Sequence, residues 1–365
     1  MATENIYGEN HTIKHILNQK MDFSLFDGSF EGRKADHIRL ALEARMQAVG
    51  GSGLDQVQLV HEALPDLDFH EISLATRLFG RDLAAPMFVS SMTAGHAGSV
   101  NLNVTLARVA ESRGWAMGVG SQRRQLFDHT ADAEWLEVRK AAPKLILFGN
   151  IGLAQLIEAS VDDIRRLADS LEAAAMIVHL NPLQECLQPE GTPHYRGGFK
   201  ALERLVRELK LPVIVKETGC GFSQATLMRL NGLGLAAVDI GGYGGTHWGR
   251  IEGGRAGDNE KLKRTAETFR DWGIATTEGL VAAVALRPDY MVWASGGLRS
   301  GLDAAKTVAM GATLAGFAKP LIEAALGGEE CLDQTMQALE YEFKTALFCT
   351  GAKDVAQLRE MKAWR

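Results

Sequence analysis

Eight short apolar runs follow one another from residue 85 onward, and stretches of mixed polarity separate them. The runs are continuous in hydrophobicity rather than alternating, which is typical of parallel strands covered on both faces. They occupy residues 86–92, 115–120, 144–150, 174–181, 212–217, 235–240, 290–295 and 313–318. Eight strand–helix units within about 235 residues match the usual size of a TIM barrel. The sequence therefore predicts an α/β fold of the TIM (β/α)8 barrel class. A doubly wound open sheet is the alternative, which six or seven of the runs would satisfy.

Amphipathic helical stretches fill intervals between the runs. They are residues 103–112, 160–171, 198–209, 224–231, 277–286 and 301–310. We predict two parts of the chain. Residues 1–84 form an N-terminal extension that packs on the barrel and contributes to the substrate site, and residues 85–365 form the barrel with closing C-terminal helices. Within the extension, residues 33–47 have a helical pattern, whereas 57–61 and 72–78 have the pattern of strands.

The composition narrows the classes of function. The chain is 46% hydrophobic and 23% charged, with a net charge of -6 and both signs mixed along its length. No nucleic-acid or membrane surface is indicated. The first twenty residues are polar, and no apolar run approaches the ~20 residues that span a bilayer. The four cysteines have neither metal-binding nor disulfide spacing, which suits reduced thiols. We therefore expect a cytoplasmic protein.

Polar side chains gather where the predicted strands end. The fourth run passes into residues 179–185, His-Leu-Asn-Pro-Leu-Gln-Glu, which offer an imidazole, two amides and a carboxylate. The proline at 182 ends the strand. Barrels of this class place their chemistry at the carboxyl ends of the strands, so this segment predicts part of an active site. A polar strand-to-helix turn is the alternative for this segment alone.

Two glycine-rich loops predict a phosphate site. Gly296 and Gly297 come just before a predicted helix, so backbone N–H groups there are able to approach an anion. The eighth run ends at residues 316–319, and loops after the seventh and eighth strands are the usual phosphate site of barrels. Thr246 lies among glycines after the sixth strand, where its hydroxyl is suited to the same phosphate.

Lys216 is an unusual residue for an apolar strand. A buried lysine is costly unless it meets an anion or a carbonyl. If the phosphate belongs to flavin mononucleotide (FMN), this lysine would stabilise the anionic reduced flavin. A structural salt bridge to Glu217 or Asp239 is the alternative interpretation.

Basic residues outside the phosphate loops indicate a second anion site. Arg33 and Lys34 lie in the extension, and Arg123 and Arg124 follow the second strand. Together with Glu185 they suggest a diphosphate that is held by cations and bridged through a divalent cation such as Mg²⁺.

In combination, these motifs resemble type 2 isopentenyl diphosphate isomerase. The matching segments are residues 33–37, 91–95, 121–123, 179–185, 244–246 and 296–299. The resemblance implies a flavoenzyme of isoprenoid biosynthesis that interconverts isopentenyl and dimethylallyl diphosphate. It implies reduced FMN, Mg²⁺ and NADPH as reductant, and a homo-oligomer, either a tetramer or an octamer.

The resemblance also implies roles for individual residues. Gln184 would lie near the reacting carbons and contact the substrate, with His179 and Asn181 close by, and Glu185 would bind Mg²⁺. The diphosphate side would be held by Arg33, Lys34, Ser121, Gln122 and Arg123. FMN would be bound by Ser91, Met92, Thr93, Ser121, Asn150, Lys216, Thr246, Gly296, Gly297, Leu298, Ala318 and Lys319.

Two other functions remain open from the sequence. An FMN-dependent 2-hydroxy acid oxidase or dehydrogenase would need a histidine base and arginines, for which His247 and Arg250 are candidates, but it leaves Gln184 and Glu185 unused. A non-catalytic barrel that binds FMN or a sugar phosphate would be indifferent to replacement of Gln184 or Glu185. The resembled family usually has serine where this chain has His247, and packing is the simplest interpretation of that histidine.

Overall fold

Eight parallel strands close into a barrel in the computed structural model, which describes residues 30–93 and 100–365 but not the side chains of residues 30–35. A short antiparallel hairpin of β1 (Thr76–Leu78) and β2 (Arg81–Leu83) comes first. The barrel strands are β3 (Met87–Val89), β4 (Ala116–Gly118), β5 (Ile146–Gly152), β6 (Ala175–Leu180), β7 (Val213–Glu217), β8 (Ala237–Asp239), β9 (Met291–Ser295) and β10 (Leu314–Phe317). Because β10 pairs with both β9 and β3, the sheet has no open edge. The predicted barrel is confirmed, and the open-sheet alternative is wrong.

Helices surround the barrel. They are α1 (Phe30–Leu42), α2 (Val100–Ser112), α3 (Asp132–Ala141), α4 (Leu153–Glu158), α5 (Val161–Asp169), α6 (Pro182–Leu187), α7 (Gly198–Leu209), α8 (Gln224–Leu230), α9 (Trp248–Arg255), α10 (Glu260–Thr268), α11 (Thr276–Ala285), α12 (Gly301–Ala309), α13 (Lys319–Leu326), α14 (Glu329–Thr350) and α15 (Val355–Met361). All six predicted helices are present within a few residues of their expected bounds. Ser160 and Ser300 begin α5 and α12 with reciprocal capping boxes, which satisfy backbone N–H groups that a helix start leaves free.

The barrel interior changes from apolar to polar along the strands. Phe88, Phe148 and Trp293 pack together inside the barrel, with ring centroids 5.1 and 5.5 Å apart for the two pairs that include the tryptophan. Phe79 of the β1–β2 turn packs against this cluster. Since alternate residues of a strand share a face, the next inward positions are two residues further along. Those positions are polar, Ser90, Asn150 and Ser295.

The N-terminal extension differs in part from its prediction. The helical pattern over 33–47 corresponds to α1, which ends at Leu42 before a 3-10 turn at Ala44–Met46. Residues 57–61 are not a strand, because the β-pairing that they form with the described residues is one isolated bridge, between Leu59 and Trp364. Residues 1–29 lie outside the described residues, and the division at residue 84 stays a prediction. No helix in the described ranges has both the length and the hydrophobicity needed to span a membrane.

Candidate active site

A cavity opens where the barrel strands end. Helix α1 contributes His37 and Ile38 to its wall. The same wall includes most of the predicted site residues, namely Ser91, Met92, Thr93, Ser121, Arg123, Asn150, His179, Asn181, Gln184, Glu185, Lys216, Thr246, Gly296, Gly297, Leu298, Ala318 and Lys319. The structure therefore brings together residues that the sequence analysis assigned to catalysis, to cofactor binding and to the metal.

Gln122 is the exception among the predicted residues with described side chains. Its Nε2 donates to Gln125 Oε1 at 2.8 Å and to the Leu167 carbonyl at 3.1 Å, and its Oε1 accepts the backbone N–H of Asn150. Gln122 does not line the cavity and supports Asn150 from behind, and its expected contact with the diphosphate stays a prediction. Arg33 and Lys34 belong to α1, but their side chains lie outside the described residues.

The loops after β8 and β9 approach each other through glycines. We call residues 241–246 and 296–298 the glycine loops. Gly296 has a φ of +100°, and a Cβ atom there would lie 2.1 Å from the Gly242 carbonyl oxygen. A Cβ atom on Gly297, at φ +81°, would lie 2.7 Å from the Gly244 carbonyl oxygen. Only glycine fits these positions, and the resulting surface presents backbone rather than side chains to the cavity.

Two buried hydroxyls at the end of β3 add to this wall. Within the described part of the chain, Ser90 Oγ and Ser91 Oγ have no hydrogen-bond partner. Gly316 leaves room beside Ser90, because a Cβ atom there would lie 2.5 Å from Ser90 Oγ. Buried hydroxyls normally have a partner, so these two are candidates for ligand contacts.

Lys216 reaches the cavity from β7 and is held from behind. Its Nζ donates to Ser295 Oγ at 2.8 Å and lies 2.8 Å from Asp239 Oδ2. Ser295 Oγ in turn donates to Asp239 Oδ1 at 2.7 Å. Of the two predicted salt-bridge partners, Asp239 is therefore the one in contact. The Glu217 carboxylate instead accepts backbone N–H groups of its own loop, at residues 219, 220 and 221.

The end of β6 is organised by side chains. His179 Nδ1 lies 2.9 Å from Asn150 Oδ1. Asn181 Nδ2 donates to Gln184 Oε1 at 3.1 Å and to Glu185 Oε1 at 3.0 Å. Tyr195 fixes this asparagine, since its hydroxyl donates to Asn181 Oδ1 and accepts the Asn181 backbone N–H. Burial raises the pKa of Tyr195, which keeps the hydroxyl neutral.

A buried carboxylate from a distant helix completes this network. Glu252 of α9 accepts from Gln184 Nε2 at 2.8 Å, from His37 Nε2 at 3.0 Å and from Arg255 at 2.5 Å. Burial alone would raise the pKa of Glu252. The hydrogen bond and charge of His37, the charge of Arg255 and the bond from Gln184 outweigh burial and bring the pKa to about 2. We call His37, Asn181, Gln184, Glu185 and Glu252 the β6 network.

Glu185 is the buried carboxylate of the predicted metal site. Besides the contact with Asn181, its Oε2 accepts the Thr192 backbone N–H at 2.5 Å. Among the described residues, the group of three metal-type ligands is the exposed set Asp68, His70 and Glu71, and Glu185 is not part of it. A cation on Glu185 would therefore complete its coordination with substrate oxygens and water, as Mg²⁺ commonly does.

Several residues of the site were not found from the sequence. Glu252 and Ser295 carried no motif, and His37 was seen within residues 33–37 without a role. Their only signal is a polar type in an apolar or helical stretch, which does not identify a partner. His247 is buried, with Nδ1 accepting the Arg250 backbone N–H and Nε2 lying 3.3 Å from the Trp272 carbonyl oxygen.

Known proteins match this chain in fold and over most of its length in sequence. The model of the FMN-dependent dehydrogenase family matches residues 48–146 and 130–365. A mandelate oxidase structure, solved with 4-Br-2-hydroxy-methylphenylacetate, superimposes with a TM-score of 0.64 at 17% identity, covering 95% of this chain and 97% of that one. That likeness shows the barrel fold alone.

Other relatives have a much higher sequence identity to this chain than the mandelate oxidase has. The isopentenyl-diphosphate delta-isomerase of Bdellovibrio bacteriovorus is 51% identical over 340 residues, which cover 92% of this chain and 98% of the relative. The protein of that name from Legionella pneumophila (strain Philadelphia 1) is 52% identical over 91% of this chain and 97% of the relative. The one from Archaeoglobus fulgidus is 39% identical over 91% and 95%. The chain belongs to the type 2 isopentenyl diphosphate isomerases, FMN-dependent enzymes built on a TIM barrel.

Proposed function

We propose that this protein interconverts isopentenyl and dimethylallyl diphosphate with reduced FMN and Mg²⁺, and that NADPH reduces the flavin. The reaction would serve isoprenoid biosynthesis. One observation carries the proposal. A single cavity is lined by the backbone-built glycine loops, suited to a cofactor phosphate, and by His37, Asn181, Gln184 and Glu185 of the β6 network, suited to a diphosphate and its metal. The name that these relatives share, isopentenyl-diphosphate delta-isomerase, supports the choice of substrate.

The residues of the cavity fit FMN. Ser90 and Ser91 offer buried hydroxyls to a ligand, and Lys216 offers an ammonium group. Gly296 and Gly297 would let backbone N–H groups approach the phosphate, with Thr246 and Lys319 beside them in the wall. Bound in its reduced form, FMN would supply the acid–base chemistry that moving the double bond requires.

The part of the wall formed by the β6 network fits a diphosphate with a divalent cation. Glu185 would hold Mg²⁺, which would neutralise part of the diphosphate charge. Arg123 lines the same cavity and adds a cation for the diphosphate. Arg33 and Lys34 are proposed to approach from α1, one turn of helix or slightly more before the cavity residue His37.

Gln184 would position the reacting carbons. Moving the double bond requires a proton at one end and removal of a proton at the other, with no net redox change. The amide is held at both ends, because Asn181 donates to its Oε1 and its Nε2 donates to Glu252. With a pKa of about 2, Glu252 is ionised and has no proton to give. The protein's part in this proposal is thus orientation and charge stabilisation.

The oxidase alternative is weaker in this structure. It requires a histidine base and arginines that face the substrate. Neither His247 nor Arg250 lines the cavity, and Arg250 donates to the Gln47 carbonyl instead. The non-catalytic alternative is left to experiment.

An anaerobic assay tests the proposal. Purified protein is incubated with isopentenyl diphosphate, Mg²⁺, FMN and NADPH, and dimethylallyl diphosphate is detected by NMR. We expect product that disappears when the flavin is left oxidised or when Mg²⁺ is chelated. Absence of product from protein with reduced FMN bound, as seen in its absorbance, would contradict the isomerase activity.

Two variants separate catalysis from binding. With the flavin fully reduced, Gln184→Leu should lose turnover, and Glu185→Gln should need more Mg²⁺ for half-maximal rate. Unchanged turnover in both variants would rule out the roles proposed for Gln184 and Glu185. A native protein that binds FMN but makes no product, and whose FMN affinity is the same in both variants, would be the non-catalytic barrel. The expected homo-oligomer, a tetramer or octamer, and the cytoplasmic location stay predictions, and sedimentation velocity measures the first.

A further inference from the structure

Three strands bring a lysine, an aspartate and a serine together at the top of the barrel interior. Lys216 and Asp239 are cross-strand partners in the β7–β8 pairing, and Asp239 is the partner of Trp293 in the β8–β9 pairing. Ser295 lies two residues beyond that tryptophan on the same inward face. All three side chains are buried, at 6%, 1% and 3% exposure.

Only part of this cluster faces the cavity. Lys216 and Ser295 line the wall, whereas Asp239 lies behind them. Asp239 also accepts the Gly241 backbone N–H at 3.3 Å. Its carboxylate therefore touches the ammonium of Lys216 and the hydroxyl of Ser295 but is separated from any bound ligand by them.

The position of Asp239 has a consequence for charge. A lone buried ammonium beside a flavin would favour the anionic reduced flavin, in which N1 has lost its proton. An ammonium that is 2.8 Å from a carboxylate is one end of a neutral pair, and its effect on N1 is partly cancelled. The cross-strand neighbour of Lys216 on β6 is His179, whose Nδ1 lies against Asn150. Glu217 is occupied by its own loop, and Lys319 lies 3.4 Å from Glu323.

We propose that Asp239 sets the protonation of N1 of reduced FMN by cancelling the charge of Lys216. This inference rests on the proposed binding of FMN but not on the isomerase reaction. With Asp239 in place, the reduced flavin retains its N1 proton at a higher pH than it would above an uncompensated lysine. Lys216 contacts the cofactor in this proposal, whereas Asp239 acts through it.

The test is an anaerobic pH titration of the photoreduced holoenzyme. The absorbance of the reduced flavin and the ¹⁵N shift of labelled N1 both report its protonation. We compare the native protein with Asp239→Asn, with Lys216→Met and with the double variant. Asn keeps the shape of Asp239 and an acceptor for Ser295, so the substitution removes mainly charge.

Each variant has an expected direction. Asp239→Asn should lower the N1 pKa by about one unit or more, because a close charge shifts a neighbouring pKa by about 1–3 units. Lys216→Met should raise it. The double variant, which has neither charge, should return close to the native value. Asp271→Asn removes an aspartate that contacts the Tyr243 hydroxyl outside the cavity, and it should leave the N1 pKa unchanged.

Each outcome of the titration either supports or overturns the proposal. An unchanged or raised N1 pKa in Asp239→Asn overturns the proposal. If that variant retains no FMN, the double variant decides, and a shift of more than about one unit from native overturns it. A holoenzyme that shows the expected shifts but makes no dimethylallyl diphosphate overturns only the proposed function. A native protein that binds no FMN overturns both.

Discussion

The two parts of the cavity wall to which we assign anions are built in different ways. In the glycine loops, backbone atoms of β8 and β9 approach so closely that no Cβ atom fits at Gly296. In the β6 network, side chains from α1, α6 and α9 converge with that of Asn181, the residue after β6. Its contact between His37 and Glu252 joins residues 215 apart in the chain. One part depends on local backbone conformation, the other on long-range partners. Substitutions in the glycine loops should therefore act by changing the shape of the site. Substitutions in the β6 network should act by changing its charge.

The largest effect is expected for Gly296→Ala. The new Cβ atom would lie 2.1 Å from the Gly242 carbonyl oxygen and at a positive φ, so the two glycine loops must separate. We expect FMN to bind at least about 100-fold more weakly, which corresponds to about 3 kcal/mol. Fluorescence quenching of FMN measures the dissociation constant. Gly80→Ala is the matched control, because its φ is also positive but nothing lies within 4 Å of the new atom. Equal FMN affinity in both variants would show that the loops are not tightly coupled.

The next effect is expected for Glu252→Gln. This change removes the buried charge that faces His37 and Arg255 and leaves the glycine loops intact. We expect turnover to fall by about two orders of magnitude, because Gln184 loses the charged partner that holds its amide and a small misplacement of a positioning group costs about 10²-fold. FMN affinity should stay within about twofold of native, as an intact backbone site implies.

Glu190→Gln is the control for that prediction. Glu190 contacts Arg255 at 3.3 Å from the more exposed end of the same ion-pair chain. Exposed pairs contribute about 0–1 kcal/mol, so turnover should change little. Equal losses in both variants would locate the effect in Arg255 rather than in the contact with Gln184.

The same comparison explains what the sequence predicts and what it does not. Gly296, Gly297 and Thr246 were found from sequence because a glycine pair before a helix has one common physical meaning. The eight strands were found because burial on both faces leaves a continuous apolar run. Glu252 was not found, since a glutamate within a helix is usually solvated and nothing local indicates His37 or Gln184 as its partner. The position of Gln122 outside the cavity wall was not found for a related reason, because its partners Gln125 and Leu167 cannot be read from the sequence around it.

The pH dependence of stability should reveal the charge in the β6 network. The folded-state pKa of Glu252, about 2, lies below its ordinary value of 4.5. Its contribution is therefore fully present above pH 4.5 and is lost as the pH falls towards 2. At pH 7 the difference is worth about 3 kcal/mol. Urea unfolding at pH 7 and pH 3 measures this contribution. The difference in free energy of unfolding between the native protein and Glu252→Gln should be smaller at pH 3. A gap that does not depend on pH would mean that packing, not charge, holds Glu252.

The smallest effect is expected at His247, which lies between the glycine loops and α9. Burial lowers the pKa of His247, and the neutral ring satisfies both of its contacts, accepting from Arg250 N and donating to the Trp272 carbonyl. Serine also caps helices, so His247→Ser should change the free energy of unfolding at pH 8 by about 1 kcal/mol or less. Because the folded pKa is below 6.5, the unfolded chain binds the proton more readily, and the native protein loses stability as the pH falls through that value. The serine variant lacks this loss. Between pH 7 and pH 5 its free energy of unfolding should therefore rise relative to that of the native protein in the same urea experiment. A variant that instead loses FMN affinity would show that the histidine shapes the glycine loops directly.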